Sequence, residues 1–325
     1  MQPCRDMTDL ANDTTPPVTG DAIRAAARRI APYIRRTPLL RLPAQALGTP
    51  CDLVLKLELL QASGSFKPRG AFNRMLSAPL PKAGVIAASG GNHGAAVAYA
   101  AQALGVPAEI FVPEITGPAK AARIRSYGAH LVQGGAAYDD ARRASEARAA
   151  ETGALQIHAY DQPEVLAGQG TLALELEEDA PELTHVLVAT GGGGLIGGMG
   201  AWYAGRANLV SVEPEGCPTL HTALREGRPT PAPVGGVAAD SLGAKQVGET
   251  MFPIARRFVQ QAVLVPDDAI REAQRRLWEA CRLVAEPGGA TALAALLCGA
   301  FVPPEGARVC VVVCGANTDP GSVLD

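Results

Sequence analysis

Residues 185–195 read HVLVATGGGGL, a short apolar run that ends in four consecutive glycines. We interpret the run as a buried strand and the residues after the glycines as the start of a helix. Glycine N–H groups at such a turn are unobstructed and converge on one point, which suits a phosphate. Because four glycines are costly to order, a purely structural turn explains them poorly. This stretch predicts one unit of an α/β fold with an anion site at its turn.

Similar units follow one another along most of the chain. Short β-branched runs alternate with helical patterns, which is typical of βαβ units and a parallel sheet. The clearest helical pattern spans residues 267–284, where apolar residues recur at helical spacing. The predicted strands are residues 53–57, 85–89, 108–112, 130–132, 185–190, 209–213 and 309–314.

Composition limits the classes of protein to which the chain can belong. Of 325 residues, 47% are hydrophobic and 19% are charged, which is the composition of a folded globular protein. With 29 basic and 32 acidic residues the net charge is −3, so neither nucleic acid nor an anionic membrane is an expected partner. Residues 183–205 and 287–304 are uncharged and long enough to span a membrane, but their glycines and prolines favour buried interior.

Cysteine usage and the N-terminus bear on location. Seven cysteines are scattered without CxxC pairs or zinc-ligand spacing, which favours free thiols in a reducing compartment. The first residues lack the basic-then-apolar order of a secretory signal. We therefore expect a cytoplasmic protein in which residues 1–17 form a flexible tail.

A second stretch, SGSFKPRG at residues 63–70, isolates one lysine between a small-residue turn and a proline. Pro68 suits the first position of a helix, so Lys67 falls at the helix start beside Phe66. Desolvation and the positive end of the helix dipole both lower the pKa of a lysine and free its amine as a nucleophile. The alternative is a solvated surface lysine, which is what most lysines are.

A third stretch, ASGGNHG at residues 88–94, stands where a predicted strand turns into a helix. The N–H groups of such a helix start, together with the Ser89 hydroxyl, suit a carboxylate or a phosphate. A glycine turn capped by Asn92 is the alternative, and His93 taken alone is more often structural than catalytic.

The tetraglycine stretch also permits a different function. Gly192, Gly194 and Gly197 have the GxGxxG spacing, and Glu213 ends the next predicted strand, where dinucleotide folds place the acid that binds ribose. A nicotinamide-dependent oxidoreductase therefore stays open, although it leaves residues 63–70 and 88–94 without roles. A binding protein without catalytic activity also stays open.

Taken together and in this order, the motifs resemble the fold type II family of pyridoxal-5′-phosphate enzymes, in its serine/threonine dehydratase and serine racemase branch. The likeness runs from about Thr37 to Asp319 and also includes GQGT at residues 168–171, AEPGG at residues 285–289 and CGAN at residues 314–317.

The resemblance implies an α/β fold with a parallel-sheet large domain and a smaller inserted α/β domain, in a protein that forms homodimers. The implied bounds are residues 18–81 with 159–325 for the large domain and residues 82–158 for the small one.

The resemblance also implies roles for individual residues. Lys67 is the Schiff-base lysine, with Phe66 beside the cofactor ring, Asn92 on its phenolic oxygen and Cys314 facing its pyridine nitrogen. The phosphate is bound by Gly191, Gly192, Gly193, Gly194 and Leu195. The substrate carboxylate is bound by Ser89, Gly90, Asn92 and His93.

The implied reaction is a β-elimination that converts an L-threonine-type or L-serine-type β-hydroxy amino acid to a 2-oxo acid and ammonia. Serine-racemising relatives have a serine base immediately before the Gly-Asn-His of this loop, where the present chain has Gly90. Reprotonation from the second face then lacks its donor, so we favour a dehydratase and keep serine racemase as the alternative.

The racemase-like relatives also bind a divalent cation, and Glu213 matches one of their ligands. Thr219 stands where those relatives have an aspartate, which predicts weakened or lost divalent binding, or a monovalent ion instead. A strand-end Glu213 that caps the turn at Pro214 is the equal alternative.

Overall fold

A computed structural model describes residues 17–323. The strands are β1 (Leu39–Leu42), β2 (Leu53–Lys56), β3 (Val85–Ala88), β4 (Ala108–Val112), β5 (His130–Gln133), β6 (Leu155–Gln156), β7 (His185–Ala189), β8 (Asn208–Pro214), β9 (Val259–Val265) and β10 (Val309–Val312). The helices are α1 (Gly20–Ile30), α2 (Pro68–Leu76), α3 (Asn92–Leu104), α4 (Pro118–Ser126), α5 (Tyr138–Thr152), α6 (Pro163–Asp179), α7 (Gly194–Tyr203), α8 (Thr219–Glu226), α9 (Ala239–Leu242), α10 (Phe252–Phe258), α11 (Asp267–Cys281) and α12 (Pro287–Leu297).

The strands form two sheets. The larger sheet has the order β1-β2-β10-β7-β8-β9, and its neighbours are parallel except for the pair of β1 and β2. The smaller sheet has the order β5-β4-β3-β6 and is parallel throughout. The predicted α/β fold with parallel sheets is confirmed.

Each of the seven predicted strands is present, whereas three observed strands were not predicted. Strand β9 is an edge strand that contains Gln260 and Gln261, both exposed, and β1 is an edge strand that is only partly buried. Edge strands face water along one side, so they lack the continuous apolar run of the central parallel strands. The third, β6, has only two residues.

The prediction of buried interior holds for most of residues 183–203 and 287–297, but it is wrong for residues 298–304, where the chain returns to the surface and Val302 is 74% exposed. Residues 183–205 contain β7 and α7, and residues 287–304 contain α12, all of which contribute to the larger hydrophobic core. Among residues 17–323, no helix has both the length and the apolar character that a membrane span requires. The predicted tail lies outside the described residues, except for Pro17.

A second hydrophobic core packs around the smaller sheet and includes Val85, Val97 and Ile110. It extends beyond residues 82–158, because Phe72 and Met75 of α2 also belong to it. The domain bounds inferred from the resemblance stay a prediction. Helix α2 thus lies between the two sheets, and the lysine of residues 63–70 stands at its start.

Candidate active site

The lysine turn, residues 63–67, lies against the carboxyl end of β10. The Phe66 N–H donates to the Cys314 carbonyl at 3.2 Å, and Ser65 pairs with Gly315 in an isolated antiparallel bridge. Ser63 has a positive φ of 58°, which is unusual for a residue other than glycine. Pro68 occupies the first turn of α2, so Lys67 stands at the helix start as predicted.

The Lys67 side chain is partly buried. Its Nζ donates to the Ala159 carbonyl at 2.9 Å and lies 5.1 Å from the centroid of the Phe66 ring. Burial lowers the Lys67 pKa to about 8 from its ordinary 10.5, although Cys314 and Glu286 act in the opposite direction. This environment is that of a nucleophilic amine and not of a surface lysine.

The loop of residues 89–92 connects β3 to α3 and presents the Asn92 side chain. Asn92 Nδ2 donates to Glu286 Oε1 at 2.5 Å, and Asn92 Oδ1 accepts from Asn317 Nδ2 at 2.5 Å. These two contacts determine the orientation of the Asn92 amide and leave its second Nδ2–H free to donate elsewhere. The Ser89 hydroxyl accepts from the Gly91 N–H at 3.3 Å.

Glu286 is a site residue that the sequence reasoning did not assign. It precedes α12 directly and is only 5% exposed, and burial raises its pKa to about 7 while the bond from Asn92 lowers it. Its position next to the uncharged residues 287–304 gives no reliable signal, because Glu305 adjoins the other end of the same stretch and is exposed.

His93 is buried and its imidazole binds the backbone. His93 Nε2 lies 2.9 Å from the Ile157 carbonyl oxygen, so this nitrogen carries the proton of the neutral ring. Burial and then the charge of Lys67 lower the His93 pKa to about 3. The proposed contact of His93 with a substrate carboxylate stays a prediction.

The expectation that structure alone explains the four glycines poorly is wrong, because packing by itself requires glycine throughout the tetraglycine loop, residues 191–194. A Cβ on Gly192 would lie 2.2 Å from the Tyr160 ring, and one on Gly191 would lie 2.7 Å from the Leu242 carbonyl oxygen. Gly193 has a φ of 85°, which favours glycine sterically. Because α7 begins at Gly194, the N–H groups of the loop and of Leu195 belong to a helix start and have no intrahelical acceptor.

Residues 158–161 connect the loop to the lysine. The Tyr160 ring packs on Gly192, and the neighbouring Ala159 carbonyl accepts from Lys67. His158 Nδ1 accepts from the N–H groups of Tyr160 and Asp161, at 3.3 and 2.9 Å, and so closes this turn. The Lys67 amine and the tetraglycine loop therefore share one wall.

Cys314 completes the group of predicted residues that lie together. Its thiol is buried and lies 3.5 Å from the Gly288 carbonyl oxygen. Burial raises the Cys314 pKa, so the thiol stays protonated and neutral. Phe66, Lys67, Asn92 and Cys314 thus meet at the carboxyl ends of parallel strands, where open α/β sheets bind their ligands.

Glu213 lies behind the tetraglycine loop, and its carboxylate is already engaged. It accepts from the Leu220 and His221 N–H groups, at 2.6 and 2.8 Å, at the start of α8. The Thr219 hydroxyl donates to the Gly191 carbonyl at 2.6 Å and lies 3.1 Å from the Glu213 carboxylate. A cation or a ribose hydroxyl would have to compete with these donors. Residues 17–323 contain no group of three or more His, Cys, Asp or Glu that could hold a metal, and the cation stays a prediction.

Known proteins resemble this chain over most of its length. Residues 30–315 match the family described as pyridoxal-phosphate dependent enzyme. An L-threonine ammonia-lyase of Geobacter sulfurreducens is 40% identical, covering 91% of this chain and 75% of the relative. A phenylserine dehydratase of Ralstonia pickettii is 36% identical, covering 96% and 97%. The structure of maize serine racemase superposes with a TM-score of 0.88 at 33% identity, covering 94% and 96%. The resemblance seen in the motifs is confirmed, and the chain belongs to the pyridoxal-phosphate dependent enzyme family.

Proposed function

We propose that the chain is a pyridoxal-phosphate-dependent ammonia-lyase that acts on L-threonine, L-serine or a bulkier β-hydroxy amino acid. The observation that carries the proposal is the desolvated Lys67 amine, which shares the wall of residues 158–161 with the tetraglycine loop. Relatives named as an L-threonine ammonia-lyase and a phenylserine dehydratase support the reaction class.

The residues fit the cofactor. The Ser65 hydroxyl is fully buried and has no hydrogen-bond partner within residues 17–323, so a polar group of a ligand would satisfy it. Lys67 would bind the aldehyde, the tetraglycine loop would bind the phosphate, and the free Nδ2–H of Asn92 would bind the phenolic oxygen. When bound, pyridoxal phosphate supplies an electron sink for the negative charge at the substrate Cα.

The protein's own contribution to the chemistry is a proton transfer from the substrate Cα to Lys67, next to a His93 ring that keeps its protonation state. With its pKa lowered to about 8, Lys67 has a larger neutral fraction near neutral pH than an ordinary lysine, and the neutral Nζ accepts the Cα proton. His93, with its pKa lowered to about 3, stays neutral and does not repel the Lys67 ammonium that forms. The N–H groups at the start of α3 bind the substrate carboxylate, which orients the Cα–H bond toward Nζ.

Gly90 favours elimination over racemisation. A Cβ at Gly90 would lie 3.0 Å from Thr116 Cγ2, so a serine base at this position would crowd the loop after β4. From L-serine we expect more pyruvate than D-serine. Gly90→Ser combined with Thr116→Ala is expected to raise the ratio of D-serine to pyruvate by about 10-fold or more. Thr116→Ala alone is the control, and a wild-type enzyme that forms mainly D-serine contradicts the prediction.

Turnover of a substrate panel tests the function directly. The holoenzyme is incubated with L-serine and with threonine, phenylserine and hydroxyaspartate, each of these three in both Cβ configurations. The ammonia and the 2-oxo acid released from each substrate are measured. Equal amounts of both products from at least one of them are expected. Cofactor-loaded enzyme that releases ammonia from none of these substrates contradicts the proposal.

Glu286 is expected to make stability depend on pH. Its pKa in the folded chain, about 7, lies above the ordinary 4.5, so the folded chain binds more protons than the unfolded chain between these values. The contribution of Glu286 to wild-type stability therefore falls as pH rises through this window. The difference in free energy of unfolding between Glu286→Gln and wild type therefore shifts by about 3 kcal/mol in favour of the variant as pH rises from 4.5 to about 7.

Urea unfolding at pH 5 and pH 8 measures this difference. The exposed Glu305→Gln is the matched control. A difference between Glu286→Gln and wild type that is the same at both pH values contradicts the prediction.

Two further parts of the proposal concern assembly and location. We propose a cytoplasmic homodimer, in keeping with the resemblance and with the free cysteines among the described residues, such as Cys51 and Cys298. Light scattering on the purified protein measures the dimer mass, and a monomer at micromolar concentration argues against it.

A further inference from the structure

Helix α6 packs directly against the backbone of the helix that carries the lysine. A Cβ on Gly168 would lie 2.4 Å from the Arg69 carbonyl oxygen and 2.7 Å from Gly70 Cα. These atoms lie two and three residues beyond Lys67, in the first turn of α2. No layer of side chains separates the two backbones here, so their distance is set by glycine.

The same helix packs directly against α7, which begins in the tetraglycine loop. A Cβ on Gly170 would lie 2.7 Å from the Gly198 carbonyl oxygen, and one on Gly198 would lie 2.3 Å from the Leu166 carbonyl oxygen. Helix α6 therefore touches the backbone of both helices that begin at the cofactor site. Its GQGT residues, 168–171, supply both contacts.

A buried ionic cluster fastens α2 to α6. Arg69 is fully buried, and its N–H groups donate to both oxygens of Glu58 at 2.7 and 2.8 Å and to both oxygens of Glu175 at 2.8 Å. Arg69 Nη1 also donates to the Thr171 hydroxyl at 3.1 Å, and Lys56 Nζ donates to Glu175 at 3.0 Å. The positive charges of Arg69 and Lys56 balance the negative charges of Glu58 and Glu175. The bidentate bonds of Arg69 restrict rotation of the first turn of α2.

We propose that α6 is a spacer that determines the distance between Lys67 and the tetraglycine loop, and that Gly168, Gly170 and Thr171 are positioning residues for the cofactor. The inference rests on the proposed function, because it concerns a cofactor held at both ends. A rigid molecule gains affinity from two anchors only when their separation matches its own length. In an enzyme, a misplacement of a positioned group by about 1 Å can lower the reaction rate on the order of 100-fold.

Three probes separate the anchors in the full chain freed of cofactor. Inorganic phosphate tests the tetraglycine loop, pyridoxal tests Lys67, and pyridoxal phosphate tests both together. We define the linkage advantage as the association constant for pyridoxal phosphate divided by the product of the association constants for phosphate and for pyridoxal. This ratio depends on the distance between the two anchors. Wild-type protein is expected to have a large linkage advantage.

Gly168→Ala is expected to lower the linkage advantage by about 100-fold, while the affinities for phosphate and for pyridoxal each change by less than about 3-fold. Leu176→Ala is the control, because Leu176 is a buried α6 residue whose truncation weakens the core without separating the helices. An unchanged linkage advantage in Gly168→Ala, or an equal loss in Leu176→Ala, overturns the inference.

A milder pair of variants decides the question if Gly168→Ala does not fold. Thr171→Val removes the hydroxyl that accepts from Arg69 at nearly constant volume, and Thr171→Ser keeps it. The inference is supported if the linkage advantage is several-fold lower in Thr171→Val and returns to the wild-type value in Thr171→Ser. Equal linkage advantages in both variants and in wild type overturn the proposal that α6 is a spacer. Wild-type protein that binds neither pyridoxal nor pyridoxal phosphate overturns the proposed function, whereas wild-type protein that binds both without a linkage advantage overturns only the spacer, so the two failures are distinguishable.

Discussion

Replacement of Lys67 by alanine is expected to lower the rate of ammonia release by at least about 10⁴-fold. Under the proposed function the variant loses both the covalent anchor and the amine that accepts the Cα proton, and the structure offers no second amine at this place among the described residues. Lys56 is also buried, but its Nζ is engaged by Glu175 and the Thr37 carbonyl oxygen. Steady-state turnover measures the loss, and exposed Lys82→Ala is the control.

A chemical measurement accompanies this variant. Borohydride reduction of the wild-type holoenzyme, followed by peptide mapping, is expected to place a pyridoxyl group on Lys67. The rate at which cofactor-free protein captures the aldehyde is expected to rise with pH through about 8, because the folded-state pKa of Lys67 lies there and the neutral amine is the reacting form. Lys67→Ala with more than about 1% of wild-type turnover, or a label on another lysine, contradicts the assignment.

Gly192→Ala is expected to weaken pyridoxal phosphate binding by about 100-fold. The added methyl group would lie 2.2 Å from Tyr160 Cδ1, so the ring and the turn of residues 158–161 have to move. This movement disturbs the tetraglycine loop, the proposed phosphate site, and also the Ala159 carbonyl that accepts from Lys67. The two anchors are therefore affected by one methyl group.

Titration of cofactor-free protein with pyridoxal phosphate measures this affinity. Gly20→Ala is the matched control, because its Cβ would lie 3.5 Å from its nearest neighbour, an ordinary contact at the start of α1. Affinity of Gly192→Ala within about 3-fold of wild type contradicts the prediction.

The parts of the site that could be predicted from sequence are those in which local pattern and chemistry coincide. Lys67, Asn92 and the tetraglycine loop each lie at a strand-to-helix or turn-to-helix junction that a short motif marks. Parallel strands bring their carboxyl ends to one edge of a sheet, so motifs that are far apart in sequence meet in space. Lys67 and Ala159 are in contact although 92 positions separate them.

Other parts could not be predicted, because burial decides them. Glu286 lies 194 positions from Asn92, and nothing local in AEPGG indicates that its carboxylate orients an amide on another helix. Arg69 follows a proline as a surface arginine could, yet it is fully buried between two carboxylates. The polar edge strand β9 was missed for a related reason, since its pairing with β8 and not its composition makes it a strand.

The sequence by itself determined the α/β class and the order of the motifs, and it singled out Lys67 and the tetraglycine loop as candidates for the reacting amine and the phosphate site. The fold class follows from backbone stereochemistry and from the periodicity of apolar residues, both of which are local, and the candidate roles follow from the motifs and from the family resemblance that they carry. Only the tertiary structure decided the tautomer of His93, the orientation of the Asn92 amide, the protonation of Glu286 and the spacing that α6 sets. These depend on desolvation and on partners remote in sequence, because a pKa or a hydrogen bond is determined by what surrounds a group after folding.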